Sequence, residues 1–106
     1  MKIKSLKFIA SSLDDLRNFP DEARRAAGFE LYAIQSGLEP RDWKPMQIVG
    51  AGVREIRIRI LGEWRVIYVA MHHEAVYVLH AFQKKTKKTS KQEIDLARQR
   101  YKQIGG

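Results

Sequence analysis

Val53-Arg54-Glu55-Ile56-Arg57-Ile58-Arg59-Ile60 sets Ile56, Ile58 and Ile60 on one side of an extended chain and Arg57 and Arg59 on the other. That two-residue period is the signature of a β-strand with one buried and one polar face. Leu61-Gly62-Glu63 follows as a compact turn. Trp64 to Met71 is apolar on both faces apart from Arg65, the pattern of a central strand. His72-His73-Glu74 marks a second turn, with both histidines exposed, and Val76 to Phe82 forms the next strand. Three strands in such quick succession predict an antiparallel meander.

Turn length sets the register. A three-residue loop at Leu61-Gly62-Glu63 places Ile60 opposite Trp64, Arg59 opposite Arg65, Ile58 opposite Val66 and Arg57 opposite Ile67. A slip of one residue would mix the faces, which a buried face forbids. Arg57, Arg59 and Arg65 are therefore expected on one sheet face, with Glu55 beside them. Like charges directly opposite cost roughly 0.2–1 kcal/mol, so the cluster calls for a counter-charge. Glu55 supplies part of it. Phosphate would supply more, because guanidinium groups grip its oxygens in pairs. A solvated sheet face explains Arg57 or Arg59 taken singly. Arg65 interrupts an apolar strand, and the three together point to an anion site.

Downstream, His80 sits among Val78, Leu79, Ala81 and Phe82. A two-residue turn at His73-Glu74 pairs His80 with Ile67 on the arginine face; a three-residue turn sends it to the other face. On the arginine face it is a candidate general acid or base. Lys84, Lys85, Lys87 and Lys88 follow as a basic linker suited to the backbone of single-stranded RNA. Ser90-Lys91-Gln92-Glu93 has the form of a capping box, with Ser90 accepting from the backbone of residue 93 and Glu93 reaching back. Ile94, Ala97, Tyr101 and Ile104 then make a helical stripe.

Upstream, residues 3–9 predict a short strand. Ser12 caps a short helix carrying Leu13, Leu16 and Phe19, which Pro20 ends. Pro20-Asp21-Glu22 opens a longer helix with the stripe Ala23, Ala26, Ala27, Leu31 and Ile34 and a C-cap at Gly37. Leu38 to Gly52 contains two prolines and two glycines and predicts a loop. Trp43, in that loop, is the aromatic side chain best placed to stack on a base; Trp64, Tyr68 and Tyr77 fit core packing.

These elements amount to a single α+β domain over residues 1–106: a small antiparallel sheet, made of the three-strand meander and an N-terminal strand, packed with two N-terminal helices and a C-terminal helix. The net charge of +8 is uneven. Residues 1–52 carry 8 basic and 7 acidic side chains, and residues 53–106 carry 12 and 5. The basic half is the candidate surface for a polyanion. No cysteine is present, which excludes disulfides and thiolate metal sites and fits a reducing compartment. Two adjacent histidines without further ligands make no metal site. Charges interrupt every apolar run, and the N-terminus has no apolar signal segment, so the expectation is a cytoplasmic protein with no membrane contact and no cofactor.

The order strand, two helices, meander, helix resembles the RelE/ParE toxin superfamily, and within it the phage-derived, HigB-like branch. Glu55-Ile56-Arg57-Ile58-Arg59 with Trp64-Arg65-Val66-Ile67-Tyr68 is similar to that branch's second and third strands. Leu79-His80-Ala81-Phe82-Gln83-Lys84-Lys85-Thr86-Lys87-Lys88-Thr89, then Glu93-Ile94 and Ala97-Arg98, is similar to its fourth strand and final helix. The resemblance implies a toxin that cleaves mRNA, usually on the ribosome, and is silenced by an antitoxin, commonly of helix-turn-helix type. It implies that Arg57, Arg59 and Arg65 surround the scissile phosphate, with Lys84 and Lys85 near the basic residue after the fourth strand. The residues themselves make His80 the candidate proton carrier and Lys85, Lys87, Lys88 and Trp43 the candidate RNA contacts. The chain departs from the pattern in three respects: its hairpin is slightly shorter, Thr89 and Ser90 stand where RelE has a tyrosine, and the Asp, Tyr and His near the end of some HigB toxins are absent. The same fold also serves ParE-like topoisomerase inhibitors, and a basic surface alone suits a non-catalytic RNA-binding module.

Overall fold

A computed structural model describes residues 3–70 and 73–104. His72 and Met71 lie outside the described residues; His73 is exposed. Strand β1 (Ser5–Phe8) leads to helices α1 (Ser12–Arg17) and α2 (Asp21–Gln35). Strands β2 (Trp43–Pro45), β3 (Val53–Arg59), β4 (Glu63–Val69) and β5 (Ala75–Gln83) follow, and helix α3 (Lys91–Lys102) closes the chain. The five strands form one sheet in the order β1-β5-β4-β3-β2.

The α+β class and the meander are as the alternation predicts. Two parts of the sheet differ. β1 joins β5 in parallel, Ser5 opposite Ala75, so the sheet is mixed. The predicted loop over residues 38–52 contains β2, which pairs antiparallel with β3 through Trp43 opposite Ile56. Three residues ending in Pro45 carry no readable alternation, and proline is tolerated because this is an edge strand.

Two cores flank the sheet. On one face, Ala23, Ala27, Leu31 and Ile34 of α2 and Leu16 of α1 pack with Phe19 against Ile56, Ile58, Trp64, Val66, Tyr68 and Val78. On the other, Ala97 of α3 packs on Val53, Ile67, Val69 and Leu79, with Ile94, Tyr101 and Ile104 around it. The small residues of α2 let it approach the sheet closely, as their stripe predicts. Gly37 closes α2: its φ is +89°, its N–H donates to the Ile34 carbonyl, and the next N–H, of Leu38, donates to that of Ala33. This is the Schellman arrangement that favours glycine. Ser12 departs from its expected role. The N-cap of α1 is Ser11, while the buried Ser12 hydroxyl donates to the Val78 carbonyl at 3.0 Å.

The first hairpin keeps the predicted faces and changes the partners. Arg57 lies opposite Arg65, Ile58 opposite Trp64 and Arg59 opposite Glu63. The loop is Ile60-Leu61-Gly62, because Leu61 (φ +54°) and Gly62 (φ +126°) together reverse the chain. The Trp64 indole N–H then donates to the Ile60 carbonyl at 3.0 Å. Partners have moved by two residues, which leaves each side chain on the face it had.

The second hairpin contains a β-bulge. Near its turn, Val69 pairs with Tyr77 and Tyr68 with Val78; beyond the bulge, Ile67 pairs with His80 and Arg65 with Phe82. Leu79 is the extra residue. Without it, continuing the register would put His80 opposite Val66 on the α2 face. The bulge turns both Leu79 and His80 toward α3. A side chain takes up the carbonyl of the extra residue: the Arg100 guanidinium donates to that of Leu79 at 2.9 Å. The Val78 carbonyl accepts from the Ile9 N–H at 2.9 Å and from the Ser12 hydroxyl.

Candidate nucleic-acid interface

α3 covers one end of its sheet face. At the other end, Lys44, Glu55, Arg57, Arg59, Glu63, Arg65, Lys84 and Lys87 line an open concavity of about 200 Å³. Six cations and two carboxylates give this lining a net charge of +4. The alternation of β3 supplies Glu55, Arg57 and Arg59. The hairpin register sets Arg65 among them, and Lys84 and Lys87 follow from the end of β5.

Arg65 and Glu55 form the floor. Both are buried, with side chains 3% and 0% exposed. Glu55 Oε1 lies 3.6 Å from Arg65 Nε and 3.8 Å from Lys44 Nζ. Thr89 Oγ1 donates to Glu55 Oε2 at 2.6 Å. Arg65 Nη2 donates to Glu63 Oε1 at 2.8 Å, and its Nη1 to the carbonyl of Trp64 at 3.0 Å. The Arg65 hydrogen bond holds the Glu63 carboxyl below the usual carboxylate range against some desolvation, with Arg59 and Lys84 adding to the effect. The Arg65 guanidinium is thus committed to the protein. The more open cations are Arg59, 3.6 Å from Glu63, Arg57, 3.8 Å from Asp42, and the lysines. Arg57 and Arg65 tolerate their direct apposition because each has its own counter-charge, Asp42 for Arg57 and Glu55 and Glu63 for Arg65.

Three candidates sit differently from their expected places. Trp43 pairs with Ile56 and so belongs to the α2 face, where the Arg54 guanidinium lies 3.9 Å over its ring; it does not border the arginine concavity. Lys88 is exposed and lines neither this concavity nor its neighbour. His80 reaches the α3 face but is buried, stacked on Phe82 with ring centroids 4.8 Å apart. Its Nδ1 faces Arg100 Nη1 at 3.4 Å, and its Nε2 faces Glu93 Oε1 at 3.0 Å. A guanidinium cannot accept a hydrogen bond, so Nδ1 is the acceptor and Nε2 carries the proton and donates to Glu93. Both ring nitrogens are engaged within the protein.

Glu93 does not complete the predicted capping box. Ser90 Oγ accepts from the Glu93 backbone N–H at 3.4 Å, but the Glu93 carboxylate turns to His80. It opens into a second concavity of about 240 Å³, lined by Phe82, Gln83, Lys84, Lys85, Thr86, Ser90, Gln92 and Glu93. Lys84 borders both concavities. Tyr68 is no substitute proton carrier: burial pushes its phenol up, partly offset by Arg54, and it lies in the opposite core.

The model of the family described as phage-derived protein Gp49-like (DUF891) matches residues 14–102. The chain belongs to this Gp49-like family. The matched span takes in every residue lining the two concavities. No curated protein matches the sequence. The fold of this Gp49-like chain is that of RelE. An E. coli toxin RelE carrying two arginine-to-alanine substitutions, in the free state, superposes with a TM-score of 0.64 at 16% identity, over 98% of this chain and 99% of that one. The toxin–antitoxin complex RelBE2 of Mycobacterium tuberculosis contains a chain similar at 23% identity with a TM-score of 0.50, over 77% of this chain and 99% of that one. The phage-derived family of the resemblance is thus borne out by the family model, and its RelE fold by these structures. Among the described residues, no helix is long and apolar enough to cross a membrane.

Sequence reading missed five residues of the site and its margin. Lys44 and Asp42 arrive through β2, which has no pattern of its own. Glu63 was assigned to the turn and starts β4 instead. Thr89 becomes a ligand of Glu55 only through the fold. Glu93 did carry a signal, a carboxylate three residues after Ser90, but the capping role accounted for it.

Proposed function

We propose that this chain is the toxin of a type II toxin–antitoxin pair, acting in the cytoplasm as an mRNA endoribonuclease on the ribosome and neutralised by an antitoxin of helix-turn-helix type. The supporting observation is the open concavity of net charge +4 on the part of the sheet that α3 leaves bare. The RelE fold adds to it, since the similar structures are a toxin and a toxin–antitoxin complex.

The chemistry asks for phosphate binding and proton transfer. The RNA 2′-oxygen attacks the adjacent phosphorus; the O2′–P bond forms, the P–O5′ bond breaks, and a 2′,3′-cyclic phosphate and a 5′-hydroxyl result. A base takes the 2′-hydroxyl proton and an acid returns one to the leaving 5′-oxygen. Arg57, Arg59, Lys84 and Lys87 face the non-bridging oxygens, where negative charge grows, so no metal is required. Arg65 fixes the floor on which Glu55 and Glu63 balance these cations.

The test is a brief pulse of expression followed by mapping of mRNA 5′ ends. The expected result is growth arrest with new 5′-hydroxyl ends inside coding regions, and loss of both in Arg57→Ala/Arg59→Ala. Arrest with intact mRNA and DNA-damage signalling would identify a topoisomerase inhibitor instead. RNA binding without cleavage or arrest would identify a non-catalytic module, a reading favoured by one observation: His80 has no free nitrogen. For binding itself, each phosphate contact on single-stranded RNA contributes about 0.7 to the slope of log affinity against log salt. The double variant should lower that slope by about 1.4.

A further inference from the structure

We propose that Glu93 is the proton-transfer residue of this site and that His80 is its positioning residue. The proposal rests on the nuclease reading above and supplies the group which that reading lacks. Within the arginine concavity, Glu55 and Glu63 are both held by Arg65. His80 has both ring nitrogens engaged, Nδ1 against the Arg100 guanidinium at 3.4 Å and Nε2 on Glu93 at 3.0 Å. Glu93 alone at the adjoining concavity combines a carboxylate, partial exposure and a fixed direction.

The fixing is unusual for a residue in the first turn of a helix. Its side chain is 26% exposed, while the His80 ring that holds it is 6% exposed. His80 is locked in turn by Arg100, which also donates to Ser11 Oγ at 2.9 Å and to the Leu79 carbonyl. Asp15 Oδ2 lies 3.7 Å from the Arg100 guanidinium. This chain runs from α1 through α3 to β5 and ends at Glu93 Oε1. Oε2 has no partner among the described residues and is available to a ligand. In a capping box this carboxylate would reach back to the Ser90 backbone N–H. Instead it is oriented into a concavity whose remaining charges are Lys84 and Lys85. Lys84 borders the arginine concavity as well, so a nucleotide gripped there by its phosphate extends past Lys84 toward Glu93.

In the step proposed, Glu93 Oε2 accepts the 2′-hydroxyl proton as the O2′–P bond forms. The neutral carboxyl keeps its hydrogen bond from His80 Nε2. The proton returns to solvent after the P–O5′ bond breaks, and the 5′-oxygen draws its own from Lys84 or water. The groups facing Glu93 are Lys84 and Lys85 from the end of β5, His80 on β5 with Arg100 and Asp15 behind it, and the neutral Ser90 and Gln92 of its own helix start.

The experiment compares wild type, Glu93→Gln, Glu93→Asp, His80→Gln and His80→Phe. Cleavage is measured on ribosomes programmed with a short mRNA, and affinity on a short fluorescein-labelled single-stranded RNA. Glu93→Gln should bind the probe at least as tightly, having lost a negative charge, and cleave about 10²-fold or more slowly. The acid limb of its pH–rate profile should vanish. Glu93→Asp should keep that limb at a reduced rate, and serves also as the folded control. His80→Gln, whose amide can still donate to Glu93, should retain most activity; His80→Phe should lose rate and shift the acid limb. Wild-type cleavage with Glu93→Gln equally fast, or slowed with its acid limb intact, would overturn the assignment and leave the nuclease reading standing. No cleavage by wild type on ribosomes or free RNA would overturn both.

Discussion

Arg65→Met should be the most damaging single change in the arginine cluster, through folding before binding. Glu55 is wholly buried, and its carboxylate has three neighbours: Arg65 at 3.6 Å, Lys44 at 3.8 Å and the Thr89 hydroxyl at 2.6 Å. Removing Arg65 leaves one hydroxyl and a part-exposed lysine to compensate a carboxylate shut away from water. Breaking a buried pair in this way costs about 3–5 kcal/mol. At about 4–8 °C per kcal/mol for a domain near this size, the melting temperature should fall by at least about 12 °C. Glu55→Gln keeps an acceptor for Thr89 and leaves Arg65 its 2.8 Å contact with Glu63, so it should cost about 1–3 kcal/mol. The double variant Glu55→Gln/Arg65→Met buries no unpaired charge, and exchanging such a pair for neutral groups is often close to neutral. It should lie within about 2 kcal/mol of wild type, a coupling of at least about 2 kcal/mol between the positions. Urea unfolding followed by tryptophan fluorescence and far-UV circular dichroism measures all four proteins. Additive single effects, with the double variant the least stable, would refute the claim that Glu55 and Arg65 form one buried unit. The practical consequence is that loss of toxicity in an Arg65 variant says little about phosphate contacts. Arg57 and Arg59 are the residues to probe.

Other outcomes follow from the same contacts. Glu63→Gln should change the acid side of the stability profile: the folded protein holds this carboxyl low through Arg65, so its contribution is present above the unfolded-state value of about 4.3 and lost as pH falls through the lower folded value. Urea midpoints taken from neutral pH downward should show the gap between wild type and variant closing on acidification; a constant gap would contradict this. Gly28→Ala, where an added Cβ meets nothing within 4 Å on the exposed side of α2, should stabilise by about 0.5–1 kcal/mol. Gly50→Ala should destabilise by about 1–3 kcal/mol, because its Cβ would lie 2.5 Å from the Tyr101 ring, which is itself tied to the Ala51 carbonyl; thermal melts of the two alanine variants should move in opposite directions.

The faces of the meander were legible because a register error of two residues preserves β-strand parity. Arg59 was expected opposite Arg65 and Arg57 takes that place, yet Arg57, Arg59 and Arg65 still share a face, since the displacement is two residues. The hydrophobic stripes of α2 and α3 were legible for a similar reason: a helix presents the same side however its ends shift. Illegible were features with no period. β2 is three residues bounded by proline. β1 pairs in parallel with a strand about seventy positions away, which nothing local encodes. Ser11 and Ser12 are equally good caps by type, and only the place of Val78 decides between them.

Bulges are the one irregularity that breaks parity, and here the site depends on one. A sequence cannot reveal that Leu79 is an extra residue, because Val78, Leu79, Ala81 and Phe82 are all acceptable in a buried strand. The turn geometry taken alone would send His80 into the α2 core, where an imidazole has no partner. With the bulge, His80 meets Arg100 and Glu93, and the carbonyl of Leu79 becomes the anchor for Arg100. The same extra residue therefore ties α3 to β5 and, by placing His80 on that face, fixes the direction of the Glu93 carboxylate. A feature that disrupts the ladder in the middle of a sheet weakens pairing, and here the Arg100 guanidinium satisfies the carbonyl of the extra residue. The energetic centre of the site and its candidate chemistry thus fall on different elements: the first on β3 and β4, where alternation announces it, the second on β5 and α3, where only the folded chain brings it together.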